Sequence, residues 1–502
     1  MDILNNLSNG ASVALSASNL LMCFLGVLIG TLIGVLPGLG PIATISILLP
    51  ISFDMEPVTA IIMLCGVYYG AMYGGSTTSI LVNIPGEVAS IVTCLDGYQM
   101  ARQGRAGPAL GMSAFGSFIG GTVSIVGLML VAPMLARFAL RFGPPEFFAL
   151  ALLGLTMVTY LSAGSVVKAW IMAVAGIAIS TIGMDPVGGV TRFTLGRITL
   201  MDGLGIAPVS MGIFGIAEVL TNIEEGISRQ EVFQAKITGL FPTLKDWADS
   251  KWAIIRGALI GFFFGIIPGA GGGITTFMAY GVEKRLSKYP EKFGKGAIEG
   301  VASPETANNA AVSGGLVPLI SLGIPPNAVM AVLVGAFIIH GIQPGPLFIG
   351  RHPDLFWGLI TSMYIGNAML LVLNLPLIGI WIRILKIPYD ILSPLIFLFC
   401  FLGAYGLNNN IYEVLIMILF GIFGYFTRKF EFEGAPFLLG MVLGPIIEMH
   451  FRQSLLYGDP LIFFKRSISV VFLSISLFLL ITGFFRTFKK KREQLQRALE
   501  EP

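Results

Sequence analysis

Glu305 is the only formally charged residue between positions 303 and 350, and Thr306, Asn308 and Asn309 follow it directly. An acidic group inside an apolar stretch of this length is costly and is by default functional. Its oxygens suit binding a cation or carrying a proton, with Thr306 as a further ligand. The plainer role is a cap after Pro304 near the basic stretch 284–295. A second polar block, GGSTTSILVNIPGE (74–87), carries Ser76, Thr77, Thr78, Ser79 and Asn83 where a span should be apolar. Hydroxyls and amides of this kind can replace the water around a carboxylate without an intramembrane cation. They also serve as ordinary interhelical hydrogen bonds.

A third element is written twice. LIGTLIGVLPGLGP (28–41) and LIGFFFGIIPGAGG (259–272) match at Leu28, Ile29, Gly30, Gly34, Pro37, Gly38 and Gly40, each 231 residues before its counterpart. Pro37 and Pro268 stop a helix, and the glycines allow backbone turns and close approach. A helix that restarts after such a break points free N–H groups and its positive end into the gap, which suits a carboxylate. The freed carbonyls suit Na⁺ or another hard cation. Paired interrupted segments at matching places in two halves point to the binding site of a secondary transporter. The expected substrate site therefore joins Gly38, Gly40 and Thr44 of one tip to Gly269, Gly271, Gly272, Thr275 and Thr276 of the other. Ser76, Thr77, Thr78, Asn83, Asn308 and Asn309 complete it, and Glu305 and Thr306 are the expected cation-coupling pair.

The chain that must position these groups has 502 residues, 55% hydrophobic and only 12% charged, with a mean hydropathy of +0.83. A soluble domain carries about 25% charged residues. Uniform apolarity without period-two alternation excludes an outer-membrane barrel and predicts an all-α polytopic membrane protein with about ten to fourteen membrane segments. The four cysteines show no metal or redox spacing and read as small core residues. No cofactor, no catalytic residue and no resident metal is expected. GxSxG, HExxH, Walker A and paired acid clusters are absent, and no basic nucleic-acid patch exists.

Two further blocks repeat. Gly74-Gly75, Ile80 and Ile84-Pro85 match Gly314-Gly315, Ile320 and Ile324-Pro325, an offset of 240, with Pro326 standing against Gly86. Ala207-Pro208, Gly212, Gly215 and Glu218 parallel Ala435-Pro436, Gly440, Gly444 and Glu448. These set the first repeat at 1–221, a polar linker at 222–251, the second repeat at 252–485 and a basic tail at 486–502. The first broken segment is flanked by stretches without Lys or Arg, the second by Lys236, Lys245, Lys251, Arg256 and Lys284–Lys295. The positive-inside rule then opens the two segments to opposite faces, as an inverted-topology repeat with broken helices or re-entrant hairpins. The same rule places linker and tail in the cytoplasm, and no cleavable signal precedes them. Lys168 is expected to snorkel, Asn408–Asn410 to form a turn, and His340 to sit in a loop.

GVLPGLGP (34–41), GSTTSILVNIPGE (75–87), LDGYQMARQGRAGPALG (95–111), IPGAGG (267–272), ASPETANNAA (302–311), LGIP (322–325), HGIQPGP (340–346) and LGPIIE (443–448) resemble the large membrane subunit of tripartite tricarboxylate transporters, the TctA type. The resemblance covers nearly the whole length. It implies a bacterial inner-membrane permease that imports carboxylates, driven by a Na⁺ or H⁺ gradient. The expected partners are a small TctB-like membrane subunit and a periplasmic TctC-like solute-binding protein. The rivals are a stand-alone symporter or channel, a membrane-embedded enzyme and a chemoreceptor. With His340, His352 and His450 the only histidines and no room for a signalling domain, the last two have little to build on.

Overall fold

The computed structural model describes residues 3–36, 40–161, 165–185, 188–225, 239–384 and 389–500, and its regular structure is almost wholly helical. The single ladder among the described residues pairs Gly183–Met184 with Thr191–Arg192. Among the described residues, seven helices are long and apolar enough to cross a membrane, including Ala17–Val35, Pro57–Val82, Ala106–Ala139 and Pro353–Asn374. Shorter apolar helices accompany them, including Pro41–Ser52, Pro144–Tyr160, Val166–Ser180 and Ala328–Ile339. The chain is an all-α polytopic membrane protein.

Glycine spacing decides how its helices pair. Ala17–Val35 lies on Pro57–Val82, and a Cβ on Gly26, Gly30 or Gly34 would strike the carbonyl of Met63, Val67 or Ala71. Leu244–Ile266 lies on Glu299–Leu322 in the same way, with Gly257, Gly261 and Gly265 against the carbonyls of Ser303, Ala307 and Ala311. Lipid gives helices no hydrophobic reason to associate, so close backbone approach supplies the packing energy. The two registers match residue for residue: the glycine rows differ by 231 positions and the carbonyl rows by 240.

Contacts fix the relative direction of these pairs. Tyr73 and Gly121 both meet Asn367, while Ser76 and Ser113 both meet Glu305. Pro57–Val82 and Ala106–Ala139 are therefore antiparallel. Ala106–Ala139 runs parallel to Glu299–Leu322, because Gly116 abuts Thr306 and Ser321 Oγ donates to the Ala132 carbonyl, 2.9 Å. Hence Pro57–Val82 and its counterpart Glu299–Leu322 point in opposite directions.

Polar bridges between distant segments mark the two ends of the bundle. One group joins Arg105 to Asp246, Arg256 to Glu283, Gln103 to the Lys295 carbonyl, Lys168 to Glu431, Arg428 to Glu218 and Lys429 to Glu224. The other joins Arg192 and Arg452 to Asp185 and Glu448, and Arg466 to Glu146. Ala106–Ala139, Val166–Ser180 and Gly434–Leu455 each begin at the first group and end at the second. The Arg256–Glu283 pair lies across the two arms of the second broken segment, so that segment leaves by the face it entered, as a hairpin. In the third repeated block, Gly212 packs on the Met417 carbonyl and Gly440 on that of Ala173, so each half lays this helix against the other half.

Candidate functional site: a buried carboxylate beside an uncapped helix end

Glu305 sits two turns into Glu299–Leu322 and is 1% exposed. Three hydroxyls from three helices close on it. Ser76 Oγ donates to Oε2 at 2.5 Å and Ser113 Oγ to the same oxygen at 3.0 Å, while Thr93 Oγ1 donates to Oε1. Ser117 Oγ and Asn309 Nδ2 each donate to the Glu305 main-chain carbonyl at 3.4 Å. Ser76, Thr93 and Ser113 all belong to the first half of the chain and Glu305 to the second. Among the described residues no Lys, Arg or His forms an ion pair with it. A buried charge normally demands a partner ion. Hydroxyl donors can satisfy it as well, and unlike a fixed cation they can rotate to accept a proton or to face an ion.

Close by lies the second tip. The helix Leu244–Ile266 ends, Pro268 to Ala270 turn, and Gly271–Leu286 begins. Gly269 has φ +84° and Gly271 φ +53°, left-handed values that favour glycine. The Gly269 N–H donates to the Pro326 carbonyl at 2.8 Å, which docks the tip on the LGIPP loop. No side chain caps the new helix, so its first-turn N–H groups keep their positive potential. Gly272 and Gly273 face Ala89 and Val88 of the first half, and Asn308 stands beside Gly272. Asn308 Nδ2 donates to Glu87 Oε1 at 3.1 Å, and Glu87 Oε2 accepts the Ala89 N–H at 2.9 Å. Two carboxylates and an anion-attracting helix end thus share one neighbourhood.

Asp96 secures the approach to this site. It is 0% exposed and accepts from Tyr280 Oη at 2.9 Å and from the N–H groups of Gly294, Gly296 and Ala297 at 2.9, 2.7 and 2.8 Å. These bonds tie the loop that precedes Glu299–Leu322 to the helix Ile91–Arg102, which carries Thr93. Asp96→Ala strands four donors, and each bond to a charged group is worth about 1.5–3 kcal/mol. The expected result is a fall in detergent melting temperature of several degrees, together with reduced uptake; an unchanged melt would show that the loop holds without it.

Residues 20–439 match the tripartite tricarboxylate transporter TctA family. The chain belongs to the TctA family. A relative described as "Uncharacterized 52.8 kDa protein in TAR-I ttuC' 3'region", from Agrobacterium vitis, is 47% identical over 497 residues, 99% of each chain. A second, "Uncharacterized protein in TAR-II ttuC' 3'region" from the same organism, is 47% identical over 237 residues, covering 47% of this chain and 98% of its own. No solved structure gives a significant match. TctA is a family of tripartite tricarboxylate transporters.

Within this TctA chain the anticipated residues divide. Ser76, Glu305, Asn308, Asn309, Gly269, Gly271 and Gly272 come together. Gly38 lies outside the described residues, as do Pro37 and Leu39. Gly40 caps Pro41–Ser52 and has open space around it. Several hydroxyls are spent on their own helices: Thr44 on the Gly40 carbonyl, Thr78 on Gly75, Thr275 on Gly271 and Thr276 on Gly273. Thr77 is buried without joining the cage. Asn83 is exposed and closes Pro57–Val82 with a left-handed φ of 61°. Thr306 donates to the Ala302 carbonyl and packs on Gly116 and Gly120, turned away from the Glu305 carboxylate. Lys168 reaches the Phe430 carbonyl at 2.7 Å, Asn409 turns with φ +49°, and His340 caps a helix end. Thr93, Ser113 and Glu87 are the site residues that the sequence pattern did not single out. No group of three or more His, Cys, Asp or Glu able to hold a metal occurs among the described residues.

Proposed function

We propose that this chain is the large permease subunit of a tripartite importer of organic carboxylates, di- or tricarboxylates such as citrate, driven by a Na⁺ or H⁺ gradient. The observation that carries the reading is the Glu305 cage. A carboxylate from one half is held by hydroxyls of the other half, next to an uncapped helix N-terminus. The helix end offers the anion its seat, and Glu305 offers the coupling ion or proton its own. The oppositely directed helix pairs support two inverted repeats, 1–221 and 252–485, around this interface. The basic residues gathered at the Arg105–Glu283 end support a cytoplasmic placing of that face in a bacterial inner membrane, and the positive-inside rule puts the basic tail on the same side. A periplasmic binding protein delivers the carboxylate at the opposite face, with a small membrane subunit completing the complex.

Deletion of this chain from its own cells tests the proposal. Uptake of at least one of radiolabelled citrate, tartrate, malate and succinate should fall about tenfold or more. It should return when the chain is restored, collapse when the Na⁺ and proton gradients are both dissipated, and vanish when its binding protein is removed. Unchanged uptake of the whole panel sinks the reading.

A further inference from the structure

Asn308 carries the loose end of the site. Its side chain is 1% exposed; Nδ2 is bonded to Glu87, while the enclosed Oδ1 has no hydrogen-bond partner among the described residues. A buried acceptor left without a donor is costly and calls for an explanation. Flipping the amide gives no relief against an ionised Glu87, because it would set Oδ1 against the carboxylate, acceptor on acceptor. Glu87 cannot swing away easily, since its Oε2 holds the Ala89 N–H and its own N–H is met by Ser90 Oγ at 3.3 Å. The anchored carboxylate therefore aims the orphan oxygen. The aim is toward the second tip: a Cβ on Gly272 would lie 3.4 Å from Oδ1 and 2.7 Å from the Ala89 Cβ. Gly272 is the second residue of Gly271–Leu286, a helix of 16 residues without a side-chain cap.

We infer that Asn308 Oδ1 is the acceptor for a hydroxyl of the anionic substrate, so that the site selects hydroxycarboxylates. The carboxylate sits on the first-turn N–H groups of Gly271–Leu286, and a hydroxyl on the adjoining carbon donates to Asn308. The inference rests on the carboxylate reading above and adds the group that discriminates. Donor and acceptor sites lie so close together that one small ligand can satisfy both. Gly272, with no side chain, lets the tip close over them.

The full chain, purified in detergent, decides the matter by calorimetry with two pairs of acids that differ by one hydroxyl: malate against succinate, and citrate against tricarballylate. In the wild type at least one hydroxy acid should bind about tenfold tighter than its deoxy partner. Asn308→Ala should bring that ratio near one by weakening the hydroxy acid, with the deoxy acid moved less than about threefold. Equal binding within both pairs by the wild type overturns the inference without needing any variant, and leaves the carboxylate reading standing. Binding of none of the four acids overturns both. A ratio that survives in a folded Asn308→Ala overturns the inference alone. So does an unchanged ratio with loss of a Na⁺ effect on affinity, which would make Asn308 a cation ligand.

Discussion

Glu305→Gln is expected to abolish gradient-driven accumulation, by at least about a hundredfold, while the chain still inserts and melts within a few degrees of the wild type. Glutamine keeps the shape of the side chain and its contacts with the Ser76, Thr93 and Ser113 hydroxyls, which rotate to suit an amide. What it removes is the charge, and with it the ability to bind a proton or a cation. Removing a buried charge costs little stability, because its desolvation penalty disappears as well. Glu305→Ala tests the same point from the other side. The three hydroxyls left behind can bond back to carbonyls of their own helices, as Ser76 Oγ already does toward Met72 at 3.4 Å. Reconstituted in liposomes with its companion subunits, the Gln variant should still exchange labelled for unlabelled substrate, since exchange needs no net movement of the coupling ion. Accumulation at the wild-type rate would remove Glu305 from the coupling step.

Glu305 was legible because a formal charge stands out in an apolar run. Its partners were not. Ser76 lies in an obvious polar block, yet Thr93 sits in a short helix of mixed composition and Ser113 on a glycine-rich one. Nothing local separates a hydroxyl that crosses to a carboxylate from one that turns back on its own helix. The same ambiguity covers Thr44, Thr275, Thr276 and Thr306, whose hydroxyls all donate to carbonyls within their own segments. The glycine rows were readable as a duplication, and the packing explains why they recur. Each row needs a carbonyl row on its neighbour, so the 231 and 240 offsets persist together. Glu87 needed the third dimension: its worth depends on Asn308, 221 positions away. The third repeated block could be read as a repeat but not as the place where each half rests on the other.

Gly269→Val should lose uptake by about a hundredfold or more, with membrane insertion intact and melting lowered by only a few degrees. Gly269 holds φ +84°, which a β-branched residue adopts only under strain. A Cβ there would also come 2.6 Å from the Met157 carbonyl oxygen and from the Val158 Cα, so the tip could not keep its seat on Pro144–Tyr160. The Gly269–Pro326 hydrogen bond would go with it, and with that bond the alignment of the Gly271–Leu286 N-terminus over Asn308. The rest of the hairpin stays pinned by Gly257, Gly261 and Gly265 on Glu299–Leu322, and by Arg256 on Glu283. That separation of seat from shaft is why function should suffer far more than folding. Gly281→Ala is the control: it lies on Gly271–Leu286, the arm that follows the tip, with nothing within 4 Å of a Cβ, and both uptake and melting should hold. Wild-type uptake by Gly269→Val would show that the tip's position has no part in transport. A melt that collapses in Gly269→Val but not in Gly281→Ala would make the tip a structural keystone rather than a binding element.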